Sequence, residues 1–215
     1  MHIPDGYLSP ATCGIFFAVM IPIWGLAARI VKKTLKARQV PLLAMGAAFS
    51  FVLMLFNIPF PGGSVGHPAG AVLIAILLGP WAGCVAVTVT VLIQAFLFGD
   101  GGITTLGANC FNMAFAMVFT GYYSYKLLSF KATTSSNRRI IAAGLAGYIG
   151  INVSAFLTGL EIGLQKSFYS PYGIRVTVPV MCIGYLLFFG WIEAVITALI
   201  VKYLKKGDNL EIQNP

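Results

Sequence analysis

The first two residues of the chain, Met1 and His2, could form a metal chelate by themselves. Three nitrogens can reach one cation together: the α-amine of Met1, the backbone nitrogen of His2 once it has lost its proton, and Nδ1 of the His2 imidazole. They close two adjacent small rings and lie in one plane. A planar nitrogen set is characteristic of Cu(II) or Ni(II). Three nitrogens leave one corner of a square open, so the chemistry requires a fourth ligand.

His67 is the only other histidine in the sequence, and it stands in a segment rich in glycine and proline, residues 61–68. A histidine beside a chain terminus is more often an incidental polar residue than a ligand. His67 can complete a site with His2 only if both residues lie on the same side of the molecule. The elements that carry them therefore decide the question.

The composition identifies an integral membrane protein. Of the 215 residues, 58% are apolar and 9% are charged, and the mean hydropathy is +0.87; soluble domains carry about 25% charged residues. Backbone groups in lipid must bond to one another, so apolar runs that can hold about 20 residues predict helices. No cleavable signal sequence is recognisable, and we expect Met1 to be the mature terminus. The uncharged runs are Tyr7–Ala28, Val40–Gly66, Pro68–Phe98, Gly101–Tyr125, Ile140–Leu160 and Val176–Ile192.

The net charge of +8 is concentrated in three basic clusters, within residues 29–38, 126–139 and 202–206. Basic residues accumulate in the cytoplasmic loops of membrane proteins, which predicts that all three clusters are cytoplasmic. The charge then reports topology, and no nucleic-acid partner is expected.

These landmarks predict a single transmembrane domain, residues 1–215, built as an all-α bundle of about seven helices. Its amino terminus is outside and its carboxyl terminus is cytoplasmic. Between Ala69 and Phe98 the chain must cross twice, turning at Gly79-Pro80, so Ala69–Leu78 is expected to be a half-helix. Six spans result if that pair only kinks a helix. The other predicted helices are Tyr7–Arg38, Pro41–Ile58, Gly102–Tyr125, Arg138–Gln165 and Arg175–Lys206.

This topology places the amino-terminal segment 1–10 and the loop 59–68 on the same, external face. We therefore predict a four-nitrogen metal site formed by Met1, His2 and His67, in a water-accessible pocket at the outer ends of the helices. Asp5 and Ser64 are candidates to accept the imidazole N–H groups, as residues around metal sites commonly do. Asp5 has another interpretation, because Pro4-Asp5-Gly6 is also a turn signal.

Three stretches carry a resemblance to a known family: Met1-His2-Ile3-Pro4-Asp5-Gly6-Tyr7-Leu8-Ser9-Pro10, the loop from Gly62 to His67, and Phe98-Gly99-Asp100-Gly101-Gly102 with Leu106-Gly107-Ala108-Asn109. They resemble the CbiM/NikM family, the substrate-binding (S) components of energy-coupling factor transporters for cobalt and nickel in prokaryotic plasma membranes. The resemblance implies a metal bound by Met1, His2 and His67. It also implies partners: a transmembrane coupling (T) subunit, ATPase subunits and a small accessory membrane subunit.

The remaining motifs favour a binding subunit over an enzyme. The sequence lacks a phosphate-binding loop, so ATP hydrolysis is assigned to partners and no organic cofactor is expected. Ala44 and Ala48 form a small-residue face, which we interpret as a contact for the coupling subunit; packing within the bundle is the alternative. Glu193 lies inside the last helix, and we interpret it as a structural post bonded to polar neighbours.

Two other functions remain open at this stage. A stand-alone secondary transporter or channel for divalent metals would need a series of intramembrane acids or histidines and internal repeats, and neither is evident. The other is a membrane enzyme or metal sensor; an enzyme would keep an open metal position. Between the two family metals we favour Ni(II) over Co(II), because a deprotonated amide favours a square plane with Ni(II).

Overall fold

The computed structural model describes residues 1–60, 64–133, 136–165 and 172–206. The first helix, α1 (Pro10–Thr34), begins where Ser9 caps it: the Thr12 N–H donates to Ser9 Oγ at 3.2 Å. Proline at the first helical position costs no hydrogen bond there. A 3₁₀ turn (Ala37–Gln39) leads into α2 (Val40–Met54).

A short hairpin follows α2, which corrects the prediction that this region is helical up to Ile58. Strand β1 (Ile58–Phe60) pairs with β2 (Ser64–Gly66) in antiparallel register, with Pro59 opposite Val65. The fold is therefore helical with one two-stranded element among the described residues. The hairpin brings the chain back to the bundle immediately before His67.

The half-helix predicted between Ala69 and Leu78 is confirmed. Helix α3 (Ala71–Leu78) has eight residues, so it rises roughly 12 Å. It ends at Gly79, whose φ of 91° lies in the left-handed region, and Pro80 starts α4 (Pro80–Ile93) directly. Nearly all of α3 is buried, in contact with α2, α4, α6, α7 and α9.

Three of the longer helices contain a π-helical segment. Helix α4 continues into π1 (Gln94–Phe98). Helix α5 (Leu106–Cys110) continues through π2 (Phe111–Met117) into α6 (Val118–Leu128), four residues later than the predicted start at Gly102, because residues 103–105 form a turn. After α7 (Asn137–Leu164), α8 (Ile174–Gly184) continues through π3 (Tyr185–Phe189) into α9 (Gly190–Lys206).

Among the described residues, five helices are long and apolar enough to cross a membrane: Pro10–Thr34, Ala37–Met54, Pro80–Phe98, Asn137–Leu164 and Ile174–Leu204. The chain is a multi-pass membrane protein, and the count of seven spans stays a prediction. Small residues allow α7 and α9 to approach closely: a Cβ added at Gly144 would lie 3.1 Å from the Ala194 carbonyl oxygen. Ala44 and Ala48, in contrast, are exposed on α2.

Candidate metal site

The amino-terminal segment is inserted into the bundle. Met1 is 3% exposed and Ile3 is fully buried. Asn109 binds both backbone groups of Ile3, accepting from its N–H at 2.8 Å and donating to its carbonyl oxygen at 3.1 Å. That oxygen also accepts from Thr105 Oγ1 at 2.6 Å and from the Gly102 N–H at 2.9 Å. Chain termini are usually loosely held, so the fixed position of this terminus requires a functional explanation.

The structure brings Met1, His2 and His67 together. The Met1 α-amine lies 3.5 Å from His67 Nε2. The two imidazole rings stack with centroids 4.9 Å apart and an interplanar angle of 27°. In the described residues, no three His, Cys, Asp or Glu side chains are grouped as a metal site. A metal held here would therefore depend on main-chain nitrogens in addition to side chains.

The hydrogen bonds of the two imidazoles indicate which nitrogen of each ring is free. His2 Nε2 lies 3.1 Å from Gln94 Oε1 and Nδ1 lies 3.4 Å from Asp100 Oδ1, both acceptors; the shorter contact assigns the proton to Nε2, which leaves the lone pair on Nδ1. His67 Nδ1 lies 3.2 Å from the Pro68 carbonyl oxygen, which leaves the lone pair on Nε2, the atom nearest the Met1 amine. Both free lone pairs are on the nitrogens that a chelate with Met1 would use.

Burial keeps these ligands unprotonated. Loss of hydration lowers the pKa of the Met1 amine to about 5, against an opposing effect of the Asp100 carboxylate. Burial, followed by the nearby terminal amine, also lowers the pKa of both His2 and His67. At neutral pH the site thus offers free lone pairs to a cation.

Asp100 is an acid in contact with His2. Its Oδ1 lies 3.4 Å from His2 Nδ1, and its Oδ2 accepts from Asn57 Nδ2 at 3.1 Å. Its side chain is 24% exposed, whereas that of His2 is 4% exposed. Asp100 is therefore more exposed than His2 and places a negative charge beside its imidazole.

Two predictions about the site are corrected. Asp5 does not hold an imidazole: its carboxylate accepts from the N–H groups of Ile103 (3.1 Å) and Thr104 (2.8 Å) and from the Thr104 hydroxyl. Burial alone would raise the pKa of Asp5, but these bonds outweigh it and hold the pKa below its ordinary value. The water-accessible pocket is also wrong, since Met1 and His67 are buried. The Ser64 side chain and Gly62-Gly63 lie outside the described residues.

Asp5 has a different role, which is to fix the turn that covers the amino terminus. A Cβ at Gly102 would collide with the backbone nitrogen and carboxylate of Asp5. Only glycine permits this approach. The Phe98–Gly102 stretch was one of those that carried the family resemblance, and in the structure its Gly102 contacts the first residues of the chain.

The three π-helical segments lie around the site, and each provides a residue that the sequence did not single out. Gln94, the first residue of π1, binds His2. Tyr185, the first residue of π3, accepts from the Met1 amine at 3.4 Å and from the His67 N–H at 3.3 Å. Asn112 in π2 donates to Thr158, whose hydroxyl donates to the Met1 carbonyl oxygen at 3.5 Å. Such segments are rare and frequent at functional sites.

A signal for some of these residues was present in the sequence. Gln94, Asn109 and Asn112 are amide side chains inside apolar stretches, and polar groups in membrane helices are costly enough to suggest function. Tyr185 carried no such signal, because tyrosine is common near membrane surfaces.

Fold and site together define a multi-pass helical membrane protein with its amino terminus built into a nitrogen-rich site. Residues 2–209 match the family described as "CbiM: Cobalt uptake substrate-specific transmembrane region". The chain belongs to this family.

Individual relatives agree with this membership. The fused nickel transport protein NikMN of Rhodobacter capsulatus is 45% identical over 97% of this chain, which spans 62% of that longer protein. The cobalt transport protein CbiM of Thermosipho melanesiensis is 33% identical, over 95% of this chain and 88% of its own. A crystal structure titled a transition metal transporter matches with a TM-score of 0.91 at 46% identity, over 99% of this chain and 96% of the other.

Proposed function

We propose that this protein is the substrate-binding component of an ATP-driven uptake transporter, and that it captures Ni(II) or Co(II) at the external face. Four nitrogens bind the ion: the Met1 amine, the deprotonated His2 amide, His2 Nδ1 and His67 Nε2. The observation that carries the proposal is the buried terminal amine, 3.5 Å from the free nitrogen of His67. The family membership supports a cobalt or nickel substrate.

The geometry of the ligands gives the ion its coordination. The first three nitrogens form a rigid chelate because they belong to two consecutive residues, and His67 closes the fourth corner. A deprotonated amide is a strong-field ligand, so the set favours square-planar Ni(II) over Co(II). Cu(II) would bind more tightly by the usual order of divalent metals, so its exclusion depends on availability.

Energy for uptake comes from partners in this proposal: a coupling (T) subunit, ATPase subunits and a small accessory membrane subunit in a prokaryotic plasma membrane. The exposed face of α2 supports a subunit contact. Ala44, Ala48 and Met45 are exposed there, and small side chains permit close helix approach. Ala44→Trp with Ala48→Trp should abolish uptake and co-purification of the coupling subunit while metal affinity is unchanged.

The binding site is tested by titrating the purified protein, with Met1 unmodified, with Ni(II) and Co(II). We expect one ion per chain and the absorption of a square-planar Ni(II) complex. His67→Ala should leave a three-nitrogen chelate with water as the fourth ligand, and thus weaker binding and a changed spectrum. Wild-type affinity and spectrum in His67→Ala would refute the ligand assignment.

A further inference from the structure

Glu193 is a buried acid of α9 whose carboxylate binds the chain just after His67. It is 0% exposed. Its Oε2 accepts from the Ala69 N–H at 2.8 Å and from the Gly70 N–H at 3.1 Å, and its Oε1 accepts from the Gly70 N–H at 2.9 Å. The acid was expected to bond to polar side chains, and its partners are backbone amides instead.

These amides stand between the candidate ligand and the half-helix. Ala69 and Gly70 directly follow His67-Pro68 and precede α3, whose first residue is Ala71. The first N–H groups of a helix lack intrahelical partners and form its positive end. The carboxylate of Glu193, from another helix, binds the two N–H groups that lead into this end, those of Ala69 and Gly70. The same contact holds the loop that carries His67, residues 65–70, against α9.

Other contacts of this loop come from π3, which directly precedes α9, and from α2. The Tyr185 hydroxyl accepts from the His67 N–H, and the Phe189 ring packs so closely on Gly66 that an added Cβ would collide with it. Ser50 Oγ donates to the Ala69 carbonyl oxygen at 2.7 Å. Among the carboxylates in the described part of the chain, Glu193 is the one that accepts hydrogen bonds from residues 65–70. It binds two consecutive amides, which fixes both the position and the direction of the backbone.

We infer that Glu193 is a positioning residue for metal binding: it holds the backbone after His67 so that Nε2 faces the Met1 amine. This inference rests on the proposed function, since it assumes that His67 is a ligand. Residues that orient metal ligands usually contact the ligand side chain. Here the His67 ring bonds to its own neighbour, Pro68, so the orientation of the ring follows the backbone, and the backbone is what Glu193 holds.

A double-mutant cycle with Ni(II) alone as the probe tests this role. Loss of a residue that supports a ligand typically weakens metal binding about 10- to 100-fold. Glu193→Gln preserves the shape and one acceptor oxygen, so we expect the lower end, roughly a 10-fold loss. In the His67→Ala background the same substitution should change Ni(II) affinity by less than about twofold, because the ligand it positions is gone. The visible spectrum of the Glu193→Gln complex should shift toward that of His67→Ala.

Glu161→Gln is the matched control, because Glu161 is a second buried acid but bonds to Asn112 Nδ2 at 2.9 Å and not to the loop. Its effect on Ni(II) affinity should be the same with and without His67. Glu193→Leu, which removes both acceptors, should exceed Glu193→Gln.

The outcomes separate the two proposals. If His67→Ala itself binds Ni(II) normally, the four-nitrogen site fails. If His67→Ala weakens binding but Glu193→Gln has no effect, or has an equal effect in both backgrounds, the site stands and the positioning role is overturned. A His67-dependent effect of Glu161→Gln as large as that of Glu193→Gln would also overturn it. Such a result would show that loss of any buried acid weakens the packing of the bundle and with it Ni(II) binding.

Discussion

His2 and His67 stack on each other, yet they are attached to different parts of the bundle. The His2 side is bound to the region of residues 94–109, through Gln94, the turn at Gly102 and Asn109. The His67 side is bound to residues 185–193, through Tyr185 and Glu193. In the described part of the chain, the polar contacts of the Met1 amine with the other side are long, 3.4 Å to the Tyr185 hydroxyl and 3.5 Å to His67 Nε2. A metal ion bound by all four nitrogens would therefore join two separately built halves.

The largest effect should come from the His2 half, by extension of the amino terminus. A tag or an acetyl group on Met1 converts a ligand amine into an amide and adds volume where Met1 is 3% exposed. Losing a ligand should cost more than the roughly 10- to 100-fold of an outer-shell loss, so high-affinity Ni(II) binding should disappear. Metal titration checks this, with the same tag after Pro215 as the control. Full affinity with an uncleaved amino-terminal tag would contradict the site.

The pH dependence of binding should show whether both halves hold neutral ligands. Because burial lowers the pKa of the Met1 amine to about 5, this amine is already deprotonated at pH 6 to 8. Only the His2 amide must then lose its proton, so affinity should fall about tenfold per pH unit from pH 8 to 6. Below about pH 5 the protonated amine competes as well, and the fall should steepen. Release of two protons per bound ion between pH 6 and 8 would show that the amine is still protonated there, which contradicts its burial.

Asn109→Ala should loosen the His2 half without touching a ligand. It removes the acceptor for the buried Ile3 N–H and one donor to the Ile3 carbonyl oxygen. An unsatisfied buried backbone group costs about 1–3 kcal/mol of stability, and Ni(II) affinity should fall roughly 10-fold or more. Ser129→Ala is the control. It removes a buried 2.6 Å bond that Ser129 donates to the Tyr125 carbonyl oxygen at the carboxyl end of α6. It should reduce thermal stability and leave Ni(II) affinity unchanged.

The smallest effect should come from the tautomer of His2. Gln94→Met removes the acceptor at 3.1 Å that holds the proton on Nε2. The proton can then move to Nδ1, and in that tautomer Nδ1 has no lone pair for the metal. We expect about a tenfold loss of Ni(II) affinity, at the low end for outer-shell changes, with little change in the melting temperature. Isothermal titration measures the first and a thermal scan the second. Unchanged affinity would mean that the ring is oriented by its stacking on His67 and its contact with Asp100 without Gln94.

The elements that the sequence predicted correctly are those with a local physical cause. Gly79-Pro80 breaks a helix wherever it occurs, so the half-helix could be located within residues 69–98. The proximity of His2 and His67 followed from charge placement, since the two segments had to emerge on one face. Most of what escaped prediction depends on contacts far apart in sequence: the bond of Gln94 to His2 and the bonds of Tyr185 to Met1 and His67. The hairpin at Ile58–Gly66 is local, and it was missed because its glycine- and proline-rich part was interpreted as a loop. Asp5 was assigned the wrong partner because a turn signal does not indicate which loop its carboxylate will meet.

The π-helical segments have a consequence for how the gene can change. A π turn contains one residue more than the α-helical turn it replaces, and each residue of an α-helix turns the chain by about 100°. Deletion of one codon within Gln94–Phe98 could restore a regular helix, but it would rotate everything after the deletion relative to everything before it. The helix would survive such a deletion in the apolar setting of a membrane, whereas Gln94 and Asp100 would no longer face His2 together. These segments are therefore constrained in the number of their codons as well as in the identity of their residues.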